Sequence, residues 1–114
     1  MEIKQSTENG IQLYKLSGNL LGETYGTPLL DRIKQQVADG GTRFVLNLAD
    51  LKFVNSTGIG TLIAALTRAR NAGGDLVLVA VPQQLDKMLQ ITKLDKLFTA
   101  FENEQEAIQS LVKS

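Results

Sequence analysis

The chain has 114 residues, of which 43% are hydrophobic and 21% are charged, with 12 basic and 12 acidic side chains. This composition is typical of a single globular domain, and the charge balance provides no overall attraction to nucleic acid or to an anionic membrane. The sequence contains neither cysteine nor histidine. Disulfides, thiolate metal sites and catalysis by either residue are therefore excluded, which argues against an enzyme.

The N-terminal residues contain no apolar signal segment, and no stretch approaches the roughly 18 apolar residues of a membrane span. We therefore expect a cytoplasmic protein that does not insert into membranes. One domain over residues 1–114 accounts for the whole length.

The first part of the sequence predicts a β-hairpin. Residues 3–7 form a strand candidate, and Asn9 followed by Gly10 is typical of a type I′ turn, which requires positive φ at both positions. A second strand is predicted over 11–16, with one slip in its apolar alternation, and Gly18 is expected to end it.

Beyond the hairpin, helices and strands are predicted to alternate. Such alternation indicates a largely parallel sheet with right-handed crossovers. The short apolar run at 44–48 predicts a strand that is covered on both faces. In chain order, the predictions are a helix over 23–38, with Thr27-Pro28 as a possible later start, a strand at 44–48, a turn at 55–58 leading into a helix that Gly73-Gly74 ends, a strand at 76–81, a helix around 85–89, a strand at 97–100 and a helix around 107–112.

Residues 55–61, Asn-Ser-Thr-Gly-Ile-Gly-Thr, lie where a strand leads into a helix. Ligands of open α/β sheets gather at such strand ends. An N-cap role for Asn55, Ser56 or Thr57 explains the polar residues. It does not explain the two glycines, which cost about 1 kcal/mol each inside a helix. A phosphate-binding loop is a weaker interpretation, because neither the G-x-x-x-x-G-K-[ST] pattern nor the third glycine of the dinucleotide fingerprint is present.

The segment 53–60, Phe-Val-Asn-Ser-Thr-Gly-Ile-Gly, resembles the D-S-[ST]-G-[LIV]-G signature of STAS domains of the anti-sigma factor antagonist type. Segments 45–48, 72–78 and 91–98 are also similar to that family, so the resemblance covers nearly the whole chain. It implies an α/β, STAS-type single domain with a mixed, mostly parallel sheet, an N-terminal β-hairpin and about four helices.

The same resemblance implies a switch in transcriptional control. A partner kinase, which is also the anti-sigma factor and supplies the ATP, would phosphorylate Ser56 and thereby release the antagonist. The antagonist itself would need no catalytic residue, cofactor, metal or direct contact with nucleic acid, and would be a monomer or a weak homodimer. Ile59 is expected to point inward, while Gly58 and Gly60 let the partner approach. The implied partner-binding residues are Asn19, Leu21, Asn55, Ser56, Thr57, Gly58, Gly60 and Thr61.

Two positions depart from the family pattern. Asn55 stands where the family has an acidic residue before the serine, and Leu21 stands where its G-x-L-D turn has an aspartate. Both changes remove negative charge from the expected partner surface. Thr57 remains an alternative phosphoacceptor.

Two other functions remain open. One is a STAS-type adaptor subunit of a stress-signalling or lipid-transport complex that lacks a phosphorylation switch. The other is an enzyme that holds a nucleotide or anion in the turn at 56–61, although Asp50 beside Lys52 is the only acid near it and is more typical of a surface turn.

Overall fold

In the computed structural model, which describes residues 2–21 and 27–112, a hairpin precedes alternating helices and strands. In chain order the elements are β1 (Glu2–Glu8), β2 (Ile11–Leu20), α1 (Thr27–Ala38), β3 (Arg43–Val54), α2 (Ser56–Asn71), β4 (Asp75–Val79), α3 (Gln83–Ile91), β5 (Ala100–Phe101) and α4 (Glu104–Val112). The strands form one sheet in the order β1-β2-β3-β4-β5. Only the β1–β2 pair is antiparallel, so the predicted mixed, mostly parallel sheet is confirmed.

The hairpin turn follows the prediction. Asn9 has a φ of 54° and Gly10 a φ of 78°, so both central positions are left-handed, as a type I′ turn requires. From this turn, β1 pairs with β2 without interruption, from Glu8 opposite Ile11 to Glu2 opposite Ser17. The turn therefore sets the register of the whole hairpin.

The predicted slip in β2, and its predicted end at Gly18, are wrong. Ile11 and Leu13 pack on the face of the sheet that α4 covers, whereas Tyr14 and Leu16 pack on the face that carries the other helices. The apolar pattern is therefore that of a regular strand buried on both faces. Gly18, with a φ of 92°, lies inside the strand, which continues to Leu20.

The third strand is longer than the predicted 44–48, because it is bulged. Its register against β2 shifts twice, each time by one extra residue on β3. Leu48, Leu51 and Val54, which are spaced by three instead of two, consequently all reach the same core. Such bulges bend a strand and re-aim its side chains, and they occur frequently beside functional sites.

Two cores lie on opposite faces of the sheet. The larger lies under α1, α2 and α3, and in it the rings of Tyr14 and Phe44 stack with centroids 5.9 Å apart. The smaller lies under α4, where Val45 and Val77 meet Ile108. The prediction that residues 44–48 are covered on both faces is confirmed. None of the described helices is long and apolar enough to cross a membrane.

Three predicted boundaries shift. Helix α1 begins at Thr27, the later of the two predicted starts, and residues 23–26 of the longer prediction lie outside the described residues. Strand β4 ends at Val79 because Ala80 turns the chain with a φ of 54°. Strand β5 lies at Ala100–Phe101 and shares only Ala100 with the predicted 97–100, since Phe98 is packed in the larger core.

Candidate functional site

The N-terminus of α2 is capped by Asn55. Its side-chain Oδ1 accepts a hydrogen bond of 2.7 Å from the backbone N–H of Gly58, and its backbone is extended, as an N-cap requires. Its own backbone N–H donates to the carbonyl of Leu20, 3.3 Å away. The capping interpretation is thus confirmed for Asn55, which also ties the helix start to the end of β2.

Ser56 and Thr57 occupy the first two positions of α2 and are both exposed. Within the part of the chain that the structure describes, neither hydroxyl hydrogen-bonds to another group, and the hydroxyl of Thr61 donates to the backbone carbonyl of Thr57 at 3.4 Å. The first N–H groups of a helix have no intrahelical acceptor, and the helix dipole there favours negative charge. An anionic group on either hydroxyl would therefore be compatible with the fold.

The two glycines of the segment have different environments. Gly58 is buried, and a Cβ at this position would overlap the backbone carbonyl of Leu20. Gly60 is exposed, and a Cβ there would meet no atom within 4 Å. The need for glycine at position 58 therefore comes from the packing of α2 against β2, and only Gly60 leaves open space above the helix.

The remaining predicted residues lie around the same helix end at different depths. Ile59 is 4% exposed and belongs to the larger core, which confirms that it points inward. Thr61 is only 8% exposed. Asn19 is exposed and Leu21 is half-buried. The sheet brings Asn19 to this place through its parallel pairing with β3.

Phe53 is a surface residue that the sequence analysis included in a motif without assigning it a role. It pairs with Asn19 in the sheet register, and 44% of it is exposed. An aromatic side chain beside exposed polar residues is typical of a contact surface between proteins. The sequence signal that could have identified it is an aromatic residue directly before the buried Val54 and the polar turn. We refer to Asn19, Phe53, Ser56, Thr57 and Gly60 together as the switch edge.

Beyond this edge, the sheet carries an open groove of about 640 Å³. Asp50 lies here within β3, not in a surface turn, and pairs with Lys15 at 3.5 Å. Among the described residues, no group of three or more acidic side chains is placed to hold a metal ion. The residues that line the groove are Glu2, Lys4, Lys15, Ser17, Gly18, Ala49, Asp50, Leu51 and Lys52.

Comparison with known proteins places this geometry in a family. The anti-sigma-B factor antagonist of Bacillus subtilis strain 168 is 29% identical over 82% of this chain and 83% of its own. An anti-sigma factor antagonist of Mycobacterium paratuberculosis superposes with a TM-score of 0.80, at 21% identity over 97% of this chain and 93% of its own. The phosphorylated form of the Bacillus cell fate determinant SpoIIAA superposes with a TM-score of 0.75, at 19% identity over 96% and 98% of the two chains.

The family model described as the STAS domain matches residues 2–107, which include every strand of the sheet and the capped start of α2. The chain belongs to the STAS domain family.

Proposed function

We propose that this protein is an anti-sigma factor antagonist that binds an anti-sigma factor with serine kinase activity, and that phosphorylation of Ser56 dissociates the complex. The observation that carries the proposal is the exposed hydroxyl of Ser56 on the first turn of α2, which has no hydrogen-bond partner among the described residues. The similarity to the anti-sigma-B factor antagonist of Bacillus subtilis, and to SpoIIAA, whose structure exists in a phosphorylated form, supports it.

The switch edge has the composition of a protein contact surface. Phe53 offers an exposed apolar side chain, its sheet partner Asn19 is an exposed amide, and Ser56 and Thr57 follow within four residues along the chain as exposed hydroxyl residues. The open space above Gly60 allows a partner to reach the helix backbone. Leu21 and Thr61 are more buried than the others, so their part is to shape this surface from below.

Phosphorylation of Ser56 would act on the complex more than on the fold. A phosphate adds about −1.5 to −2 charges at neutral pH. At the first turn of a helix this charge is stabilised by the dipole and by free N–H groups. A partner surface shaped for a neutral hydroxyl would instead lose a few kcal/mol of binding, which corresponds to more than a hundredfold in affinity.

The resemblance to anti-sigma factor antagonists supports a division of labour between the two proteins. The partner supplies ATP and the phosphoryl-transfer machinery, and this chain supplies the acceptor hydroxyl. Asn55 provides the cap without the carboxylate that the family pattern has at this position. Orientation of the serine or of a magnesium ion during transfer then depends on the kinase alone. The protein controls transcription indirectly, from the cytoplasm, by freeing a sigma factor.

A capture experiment tests this function. The wild type, Ser56→Asp and Ser56→Ala are used to capture partners from the native cytoplasm, and the complexes are treated with ATP before intact-mass analysis. Wild type and Ser56→Ala should capture the kinase, whereas Ser56→Asp should not. ATP should add one phosphate to the wild type alone, and the phosphorylated wild type should then dissociate from the kinase.

Other outcomes have definite meanings. If all three proteins capture the same partners and no phosphate appears, the chain is a constitutive STAS-type adaptor. Phosphate on Ser56→Ala but not on Thr57→Ala would move the acceptor to Thr57. Hydrolysis of a nucleotide by the isolated wild type, lost in Ser56→Ala, would instead support the enzymatic alternative.

A further inference from the structure

The outer edge of β1 is open. Within the described residues, this strand has β2 as its only neighbour in the sheet. Its sequence from Glu2 to Glu8 contains no proline, its pairing with β2 contains no bulge, and every side chain except Ile3 is exposed. Proteins protect such an edge with a bulge, a proline, a covering segment or charged side chains, because its unpaired backbone groups can bind another strand. Of these devices β1 has only charged side chains, which favour a strand whose charges are complementary.

The turn at Asn9 and Gly10 determines which backbone groups point outward. In a two-residue hairpin, the residues that flank the turn exchange hydrogen bonds, so Glu8 directs its backbone groups to Ile11. Hydrogen-bonded pairs alternate along antiparallel strands. Gln5 and Thr7 therefore direct their N–H and C=O groups to the open edge, where an added strand can pair with them.

Three charged side chains on β1, Glu2, Lys4 and Glu8, form no ion pair with another described residue. Lys4 lies directly opposite Lys15, whose ammonium group is paired with Asp50. Like charges opposite each other destabilise a strand pair, so Lys4 favours a carboxylate elsewhere. Neither Lys4 nor Glu8 forms an ion pair with another described residue. The unpaired cation Lys4 and the unpaired anion Glu8 are thus four positions apart on one open strand.

We propose that β1 pairs antiparallel with β1 of a second copy of this chain, centred on Ser6. A two-fold axis at Ser6 places Lys4 of each copy opposite Glu8 of the other, so two Lys4–Glu8 pairs form across the axis. These are non-hydrogen-bonded positions, where side chains come closest. Between them, Gln5 of each copy exchanges backbone hydrogen bonds with Thr7 of the other. The two five-stranded sheets then become continuous.

The registers centred on Gln5 and on Lys4 are disfavoured by the same charges. Centring the pair on Gln5 places Glu2 opposite Glu8, and centring it on Lys4 places two lysines opposite each other. Centring it on Ile3 pairs only the first few residues. The interface is isologous, as expected for a two-fold dimer, and it is small, so association depends on concentration. Because Ser6 lies opposite Leu13, well before the end of β2 at Leu20, the switch edge stays exposed in the dimer.

Charge reversal tests the register. Sedimentation equilibrium from micromolar to millimolar concentrations is measured for the wild type, Lys4→Glu, Glu8→Lys and the double variant. Each single variant places like charges opposite each other twice and should weaken the dimer about tenfold or more, and the double variant should restore it. Lys87→Glu, a matched reversal on the exposed side of α3, should leave the dimer unchanged.

A backbone variant tests the strand pairing itself. Gln5→Pro removes one outward N–H, which an edge strand tolerates in the monomer, and should abolish dimerisation while circular dichroism shows an intact fold. The proposal is overturned by a wild type that stays monomeric at millimolar concentration. It is equally overturned by a dimer that survives Gln5→Pro, or by one that neither charge reversal weakens.

Discussion

The side chain of Asn55 accepts a 2.7 Å hydrogen bond from the backbone N–H of Gly58, and this bond fixes the start of the helix that presents Ser56. The same residue donates its own N–H to the carbonyl of Leu20. One amide residue therefore joins the end of β2 to the first turn of α2. The stability of the helix start and the presentation of the Ser56 hydroxyl consequently depend on the same few atoms.

Two replacements of Asn55 should separate the effect of the capping hydrogen bond from the effect of a negative charge at this position. Asn55→Ala should lower the free energy of unfolding by about 1 kcal/mol, because a donor of the first turn loses its acceptor. Asn55→Asp should keep the cap and gain about 0.3–1 kcal/mol from the helix dipole at neutral pH. Urea unfolding at pH 7 measures both changes. Equal stabilities of the Ala and Asp variants would contradict the capping role.

The same aspartate variant has a functional consequence under the proposed function. Asn55→Asp restores the acidic residue of the family pattern beside the acceptor, so phosphorylation by the partner kinase should become faster than in the wild type. Single-turnover phosphorylation, followed by intact mass, measures the rate. Asn55→Ser, which keeps a capping oxygen without charge, is the control and should not accelerate transfer. An unchanged rate in Asn55→Asp would show that the carboxylate plays no part.

Alanine at the two glycines should have opposite effects. Gly58→Ala places a Cβ against the carbonyl of Leu20 and should cost about 1–3 kcal/mol of unfolding free energy. Gly60→Ala meets open space within the helix and should stabilise the domain by roughly 0.5–1 kcal/mol. Denaturant midpoints of the pair measure this. A destabilised Gly60→Ala domain would mean that this position is more crowded than the structure shows.

The hydroxyl of Tyr14 is fully buried and has no hydrogen-bond partner among the described residues. Burial raises the pKa of Tyr14 from 10.0 to about 12, although the charge of Arg32 opposes this shift. The unfolded chain therefore loses this proton near pH 10 while the folded domain keeps it. The contribution of the protonated Tyr14 to the free energy of unfolding is therefore fully present below pH 10 and is lost as the pH rises towards 12.

Tyr14→Phe removes this titration and measures its size. At neutral pH the variant should be as stable as the wild type or more stable, because no hydrogen bond is lost. Between pH 10 and 12 the wild type should lose roughly 2–3 kcal/mol relative to the variant. Urea unfolding of both proteins across this range isolates the effect from the other groups that titrate there. Parallel stability profiles would contradict the buried, protonated state.

Phe53 provides a test of the switch edge that leaves the acceptor untouched. Because 44% of it is exposed, Phe53→Ala should change stability by less than about 1 kcal/mol. Affinity for the captured partner should fall tenfold or more, since aromatic anchors dominate protein interfaces. Ile91→Ala, at a residue 81% exposed on α3, is the matched control. Isothermal titration calorimetry measures the partner affinity of both variants. Equal losses of affinity in Phe53→Ala and Ile91→Ala would show that Phe53 does not belong to the interface.

Local chemistry made much of this protein predictable from its sequence. Asn9 and Gly10 specify a turn by their own φ preferences, and helical apolar spacing predicted α2 with its capped start. The motif at 53–60 identified the family. These features depend on residues that are close together in the chain, so they can be predicted without knowledge of the fold.

Contacts between distant residues decided the rest. The bulges of β3 exist only relative to β2, and they convert a spacing of three at Leu48, Leu51 and Val54 into one buried face. Gly58 and Gly60 are identical in sequence terms, and only the carbonyl of Leu20 distinguishes them. By itself, the sequence determined the order of elements and the strand-to-helix turn that carries the candidate site. The tertiary structure decided which side chains are buried or exposed, because burial depends on neighbours that the sheet brings together.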